Sequence, residues 1–161
     1  MAEAVIRLAE PGDLLAMSDL IERQLRKHVL RDCTREGAAG LVASVDPAVL
    51  QRNMDSGYVY HVAAAADMIY GVVGMQPPCH LFHLFVADVM QRQGLGRKLW
   101  HVARDSVCLQ QSLPPVFTAH SSLAAVPFYR RIGFDAVGEP QEQDGVRFQP
   151  MRYVMLGARL K

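Results

Sequence analysis

The segment Gln91-Arg92-Gln93-Gly94-Leu95-Gly96 is a glycine-rich turn between an apolar run and a helical pattern. At a strand-to-helix junction such a turn leaves backbone N–H groups free to face an anion. No Ser, Thr, Asp or Asn stands just before the helix to satisfy its first N–H groups. Arg97 and Lys98 fall in its first turn, where the helix dipole disfavours cations. A bound phosphate reverses both penalties. The expected ligand is therefore phosphate-bearing, held by the N–H groups from Arg92 to Arg97, with Arg92 and Arg97 adding charge. An ordinary strand-to-helix turn is the alternative. Other residues have side chains suited to proton transfer. A tyrosine phenol, with a free pKa of about 10, is protonated at neutral pH and can donate. The six histidines carry imidazoles that titrate near neutrality and suit a general base.

These groups need elements to place them. Leu81 to Val86 is apolar and reads, with His80, as a buried strand ahead of the turn, and Arg97 to Leu109 reads as an amphipathic helix after it. In a regular strand His80 and His83 point to opposite faces. Upstream, Val5 to Ala9 suits a first strand. Leu14, Met17, Leu20, Ile21 and Leu25 recur at three and four residues and predict a helix from Pro11-Gly12-Asp13 to about Arg31. Gly37 and Gly40 read as chain breaks. Asp46-Pro47 is a helix start, and Ser56-Gly57 its end after about Asp55. Tyr58 to Ala64 and Ile69 to Gln76 read as strands joined near Asp67. Val116 to Ala119 is a short strand, and a helix carrying Tyr129 ends at Gly133. Two last strands are expected near Asp135 to Glu139 and Arg152 to Leu156. Between them Gln141 to Pro150 forms a loop that turns at Asp144-Gly145. The order is that of an α/β or α+β fold with a mixed sheet.

The 161 residues suit one domain, 1–161, with a real core. Half of them are apolar, a fifth charged, and the formal net charge is +1. Neither nucleic acid nor an anionic membrane is suggested as a partner. No apolar run approaches the ~20 residues of a membrane span, and the N-terminus lacks signal-peptide character, so a cytoplasmic location is expected. Cys33, Cys79 and Cys108 are widely spaced and form no C-x-x-C. Cys79, His80 and His83 are the one metal-like cluster, but a strand sends Cys79 and His80 to opposite faces, and no metal is expected.

Gln91-x-x-Gly94-x-Gly96 resembles the acyl-CoA pyrophosphate loop of the GNAT N-acyltransferase superfamily. A second block, Ser122-Leu123-Ala124-Ala125-Val126-Pro127-Phe128-Tyr129-Arg130-Arg131-Ile132-Gly133-Phe134, looks like that family's Asn-x-x-Ala-x-x-x-Tyr-x-x-x-Gly-Phe segment. Ser122 stands where the family has Asn. Pro127 falls inside the predicted helix and argues for a later start. The resemblance implies a mostly antiparallel sheet of six to seven strands flanked by about four helices. It implies an N-acetyltransferase that passes an acetyl group from acetyl-CoA to a primary amine of a small molecule or peptide. The pantetheine arm would pair with the backbone of Phe85 and Val86, and Gln91 to Arg97 with Ser122 would complete the cofactor site. Tyr129 would protonate the leaving thiolate; otherwise it is a tyrosine with its ring in the core. His80 matches the family's base position best, ahead of His83 and His120. The alternative for each is a core histidine bonded to backbone. Direct attack by an already neutral amine is open as well. The 141–151 segment is similar to endings found in a subset of bacterial members. It reads as a solvated hairpin, or as an acceptor-lining loop with Glu142 or Asp144 receiving the amine. A homodimer through the final strands fits the family. A non-catalytic acyl-CoA sensor is the rival reading. A nucleotide-binding enzyme is disfavoured, since no Walker Lys-Ser/Thr ending follows and Leu99 replaces the third glycine of G-x-G-x-x-G.

Overall fold

The computed structural model describes residues 3–110 and 115–155. Strands β1 (Val5–Leu8), β2 (Val59–Ala65), β3 (Met68–Gln76), β4 (His80–Val86), β5 (Val116–Ser121), β6 (Asp135–Ala136), β7 (Gln141–Gln143) and β8 (Val146–Val154) form one sheet. Its order is β1-β2-β3-β4-β5-β8-β6, with β7 paired to β8. Every pairing is antiparallel except β4 with β5. The helices are α1 (Leu14–His28), α2 (Arg35–Ala43), α3 (Pro47–Asp55), α4 (Leu95–Cys108) and α5 (Val126–Arg131). The α/β class and the mostly antiparallel sheet are those expected, with one strand and one helix more.

Alternation along the strands separates two cores. One packs Leu95, Leu99, Trp100 and Ala103 of α4, Tyr129 of α5 and Ile132 just after it against Ala63, Val73, Leu81, Phe117 and Met151. The other packs Met17, Leu20, Ile21 and Leu25 of α1 and Leu50 of α3 against Tyr60, Val62 and Val72. The spacing read from the sequence for α1 is thus its buried face, although the α-helix stops at His28 and a 3₁₀ turn over Leu30–Asp32 follows.

The additional helix is α2, where two glycines suggested a break. Thr34 caps it by accepting from the Gly37 N–H at 3.0 Å. Gly37 serves a tertiary contact: a Cβ there would sit 2.3 Å from the Gly145 carbonyl oxygen. The C-terminal region also differs from expectation. The hairpin expected at 141–151 is present, β7 and β8 pairing from Gln141↔Phe148 to Gln143↔Val146, but its second strand is longer than expected. Asp144 and Gly145 both take positive φ, 51° and 79°, the twist a two-residue hairpin turn needs. The strand expected from Arg152 therefore starts at Val146, and β6 keeps only Asp135–Ala136 of the five residues expected. Leu156 lies outside the described residues.

Candidate functional site

Strands β4 and β5 part company after two residue pairs, His80↔Thr118 and Leu81↔Ala119. Beyond Leu81, β4 keeps β3 on one side and has no strand on the other. The Ala87 N–H bonds the Tyr70 carbonyl of β3 at 2.8 Å. In an antiparallel ladder the backbone groups alternate sides, so Phe85 also faces β3, and Leu84 and Val86 face the opening. The free edge can pair with the amides of an extended ligand. This shifts the expected contact by one residue, from Phe85 to Leu84, and keeps Val86. The opening is part of a cleft of about 1090 Å³ whose wall includes Leu84, Phe85, Val86, Gly94, Gly96, Ser122 and Tyr129.

The glycine turn sits at the mouth of this opening. Gly94 has φ +83° and is the N-cap of α4, which therefore starts at Leu95, two residues earlier than expected. No side chain caps the helix, and no acidic residue lies in its first turn. Among the described residues, the N–H groups of Arg92 to Arg97 have no backbone acceptor outside their own helix. Those of Leu95, Gly96 and Arg97 are the orphan donors of a helix start, aligned with the positive end of its dipole. Arg92 holds φ +63°, a conformation rare for a side-chain-bearing residue. The two glycines differ in purpose. A Cβ on Gly94 would meet nothing within 4 Å, so glycine is there for its φ. A Cβ on Gly96 would stand 3.0 Å from Phe128, so glycine is there to let α4 approach α5.

The side chains around the turn separate into two groups. Gln91 lines the cleft, and its Nε2 donates to Val86 O at 3.0 Å, Gln24 Oε1 at 3.1 Å and Asp88 Oδ1 at 3.3 Å. Gln24 Nε2 also donates to Asp88 Oδ1, at 3.2 Å, and Lys27 pairs with Asp88. These bonds tie the turn to α1. Sequence reading missed Gln24 and Asp88. The available signal was Gln24 itself, a polar residue on the buried face of α1 and only 4% exposed. Gln93 donates to Val89 O at 3.1 Å, and Arg97 to Arg131 O at 3.2 Å. Arg92 and Arg97 both line the cleft.

Tyr129 lies on α5, which begins at Val126, so Pro127 falls in its first turn and breaks no helical bond. Gly133 ends the helix with φ +105°. The Phe134 N–H reaches back to Tyr129 O at 3.0 Å and the Gly133 N–H to Arg130 O at 3.1 Å, a Schellman closure that fixes the Tyr129 backbone. The ring packs edge-on to Phe128 and Phe134. The residue is 8% exposed and lines the cleft. Burial pushes its phenol well above the usual range, so it stays protonated.

The histidines are arranged differently from the expectation for a regular strand. Gly74 pairs with His83 and Met75 with Leu81, so Phe82 is an extra residue and β4 carries a bulge. The bulge brings His80 and His83 to one face. Leu81 and Leu84 pack toward α4, while His83 contacts Tyr60 in the core below α1. Neither histidine bonds to backbone. His80 Nδ1 lies 2.7 Å from Thr118 Oγ1, and its ring is edge-on to His120 with centroids 4.8 Å apart. His120 in turn stacks on Phe148 at 4.3 Å. Burial holds all three imidazoles below their usual range, helped at His80 by His120, and His83 falls to about 4. All three are neutral at pH 7. Cys79 donates its thiol to Val116 O, and among the described residues no three His, Cys, Asp or Glu side chains could hold a metal.

The far wall of the cleft is an arch. The Thr34 N–H bonds Gly145 O at 2.8 Å, and Cys33 bridges to Val146. The segment before α2 is thereby joined to the β7–β8 hairpin. Asp144 is the one carboxylate on the cleft wall among the described residues; Glu142 is not part of that wall.

The family model for the acetyltransferase (GNAT) domain matches residues 29–155, most of the chain. The chain belongs to the GNAT acetyltransferase family. Solved structures with this GNAT fold include a GCN5-related N-acetyltransferase from Rhodopseudomonas palustris, with TM-score 0.80 and 17% identity over 96% of this chain and 98% of that one. The PaiA N-acetyltransferase from Thermoplasma acidophilum, solved with coenzyme A, gives 0.78 and 14% over 96% and 100%. YncA from Salmonella typhimurium, solved with acetyl-CoA, gives 0.66 and 18% over 95% and 94%. No curated protein sequence matches the chain. No described helix of this GNAT chain is long and apolar enough to cross a membrane.

Proposed function

We propose that this chain transfers an acetyl group from acetyl-CoA to a primary amine. The carrying observation is the conjunction of an open β4 edge, an uncapped α4 N-terminus at its mouth and Tyr129 on its wall. These residues fit the cofactor. The N–H groups of Leu95, Gly96 and Arg97 receive the pyrophosphate, with Arg92 beside it. The backbone of Leu84 and Val86 pairs with the amides of the pantetheine arm, as an added strand would. PaiA and YncA, solved with coenzyme A and acetyl-CoA, share the fold. Gln91 and Asp88 keep the turn in shape from behind.

Bound acetyl-CoA supplies the thioester, whose C–S bond gives way to the C–N bond of the amide. The remaining steps are proton transfers. The attacking amine must shed a proton. His80, neutral and on the wall, accepts it directly or through a water and returns it to solvent. The sulfur leaves with the electron pair of the broken bond, and the Tyr129 O–H supplies its proton before being reprotonated by solvent. Burial raises the phenol, and it raises a thiol in the same site in the same direction. The acceptor enters on the face of His80, His120 and Phe148, within the arch.

Calorimetric titration with acetyl-CoA tests the reading. The parent is expected to bind, and Gly94→Leu to lose about tenfold or more, because a side chain at φ +83° strains the turn and crowds the anion. A folded parent that binds no acetyl-CoA overturns the proposal. Binding without turnover of any amine would favour the sensor reading.

A further inference from the structure

We infer that His83 is not a base: Tyr60 locks it as the Nε2–H tautomer, a fixed hydrogen-bond donor to the acyl or acceptor substrate in the cleft. The inference rests on the acyltransferase reading for its substrate, while the tautomer itself can be read on the free protein. Tyr60 of β2 and His83 of β4 are two strands apart, with β3 between them. They meet because Gly74, the cross-strand partner of both, has no side chain. A Cβ on Gly74 would lie 2.4 Å from the Tyr60 ring, which occupies that space. The ring lies across β3 and brings its hydroxyl 3.1 Å from His83 Nδ1.

Counting protons assigns the roles. The Tyr60 hydroxyl accepts from Asn53 Nδ2 at 3.2 Å. It has one proton to give, and among the described residues His83 Nδ1 is its only acceptor. If Nδ1 carried the proton, two donors would face the Tyr60 oxygen and the buried phenolic proton would be stranded, which is costly. Nδ1 is therefore the acceptor and Nε2 carries the hydrogen. His83 is on the cleft wall. With Nδ1 engaged, Nε2 is the nitrogen left for a ligand, and as an N–H it donates rather than accepts. Proton removal from the amine then belongs to His80 or to water, and Tyr60 is a positioning residue.

Two measurements test this. Nitrogen-15 NMR of the ligand-free parent should show His83 as a single neutral Nε2–H tautomer, and Tyr60→Phe should mix the tautomers while leaving the rest of the spectrum in place. An Nδ1–H signal in the parent overturns the inference, whatever the protein catalyses. In amine acetylation, glutamine can replace an Nε2–H donor but cannot serve as a base. His83→Gln is thus expected to be at least roughly tenfold more active than His83→Leu. Equal losses in two folded variants overturn the donor role. A parent that fails to bind acetyl-CoA would overturn the acyltransferase reading and leave the tautomer result standing.

Discussion

Tyr129 and the cleft histidines show how environment sets a side chain's chemistry. A phenol in water is a weak acid. The same phenol packed against Phe128 and Phe134 is weaker still, and it lines the cleft fully protonated, as the proposed proton donor must be. Tyr129→Phe retains the ring packing and removes the hydroxyl with its proton, so kcat should fall about 100-fold or more. Acetyl-CoA affinity, measured by calorimetry, should be unchanged. An unaltered kcat would take Tyr129 out of the reaction. The neutral state of His80 at pH 7 likewise comes from burial and from the neighbouring His120 ring.

At the level of elements, the glycine turn is held from behind. The α1 face that fills the second core also carries Gln24, and Gln24 with Lys27 and Asp88 fixes the register of Gln91. These bonds support the turn in which Gly94 and Arg92 hold positive φ. Gln24→Ala removes the α1 partner that Asp88 and Gln91 share, and leaves Asp88 with Lys27 and Gln91 with Val86 O and Asp88. Acetyl-CoA affinity should weaken by roughly tenfold, whereas the amine KM at saturating acetyl-CoA should stay near that of the parent. Equal acetyl-CoA affinity in the two proteins would show that the turn does not depend on α1.

Over the whole molecule, burial of neutral imidazoles couples stability to pH. His83 titrates near 4 when folded and near 6.5 when unfolded. Between those values the unfolded chain binds the proton and the folded chain does not. Stability is therefore full above about pH 6.5 and declines as pH falls toward about 4, by roughly 3 kcal/mol for His83 alone. His61, His80 and His120 are shifted in the same direction and add to the slope. Denaturant unfolding at pH 7 and pH 4.5 should show the loss, and His83→Gln should reduce it. A His83→Gln slope as steep as the parent's would contradict the assignment.

The amino-acid sequence by itself determined whatever depends on neighbours along the chain. The buried face of α1, the Asp46-Pro47 start of α3, the Gly133 cap and the glycine turn are local patterns, readable because hydrogen bonds and packing within a few residues produce them. Family membership was legible for the same reason, from Gln91-x-x-Gly94-x-Gly96 and the Tyr129 block. Only tertiary structure decided what depends on residues far apart. Gly37 signals a break until Gly145, over a hundred positions away, requires the space a side chain would fill. His80 and His83 belong on opposite faces until the bulge at Phe82 puts them on one. Gln91 lines the cleft as a residue of the glycine turn, and only the fold shows that Gln24 and Asp88 hold its side chain there. Residues 141–151 read as a hairpin turning at Asp144-Gly145, yet the continuous strand Val146–Val154 depends on the pairing that β5 and β7 supply. In each case the deciding contact joins segments whose meeting no local periodicity records.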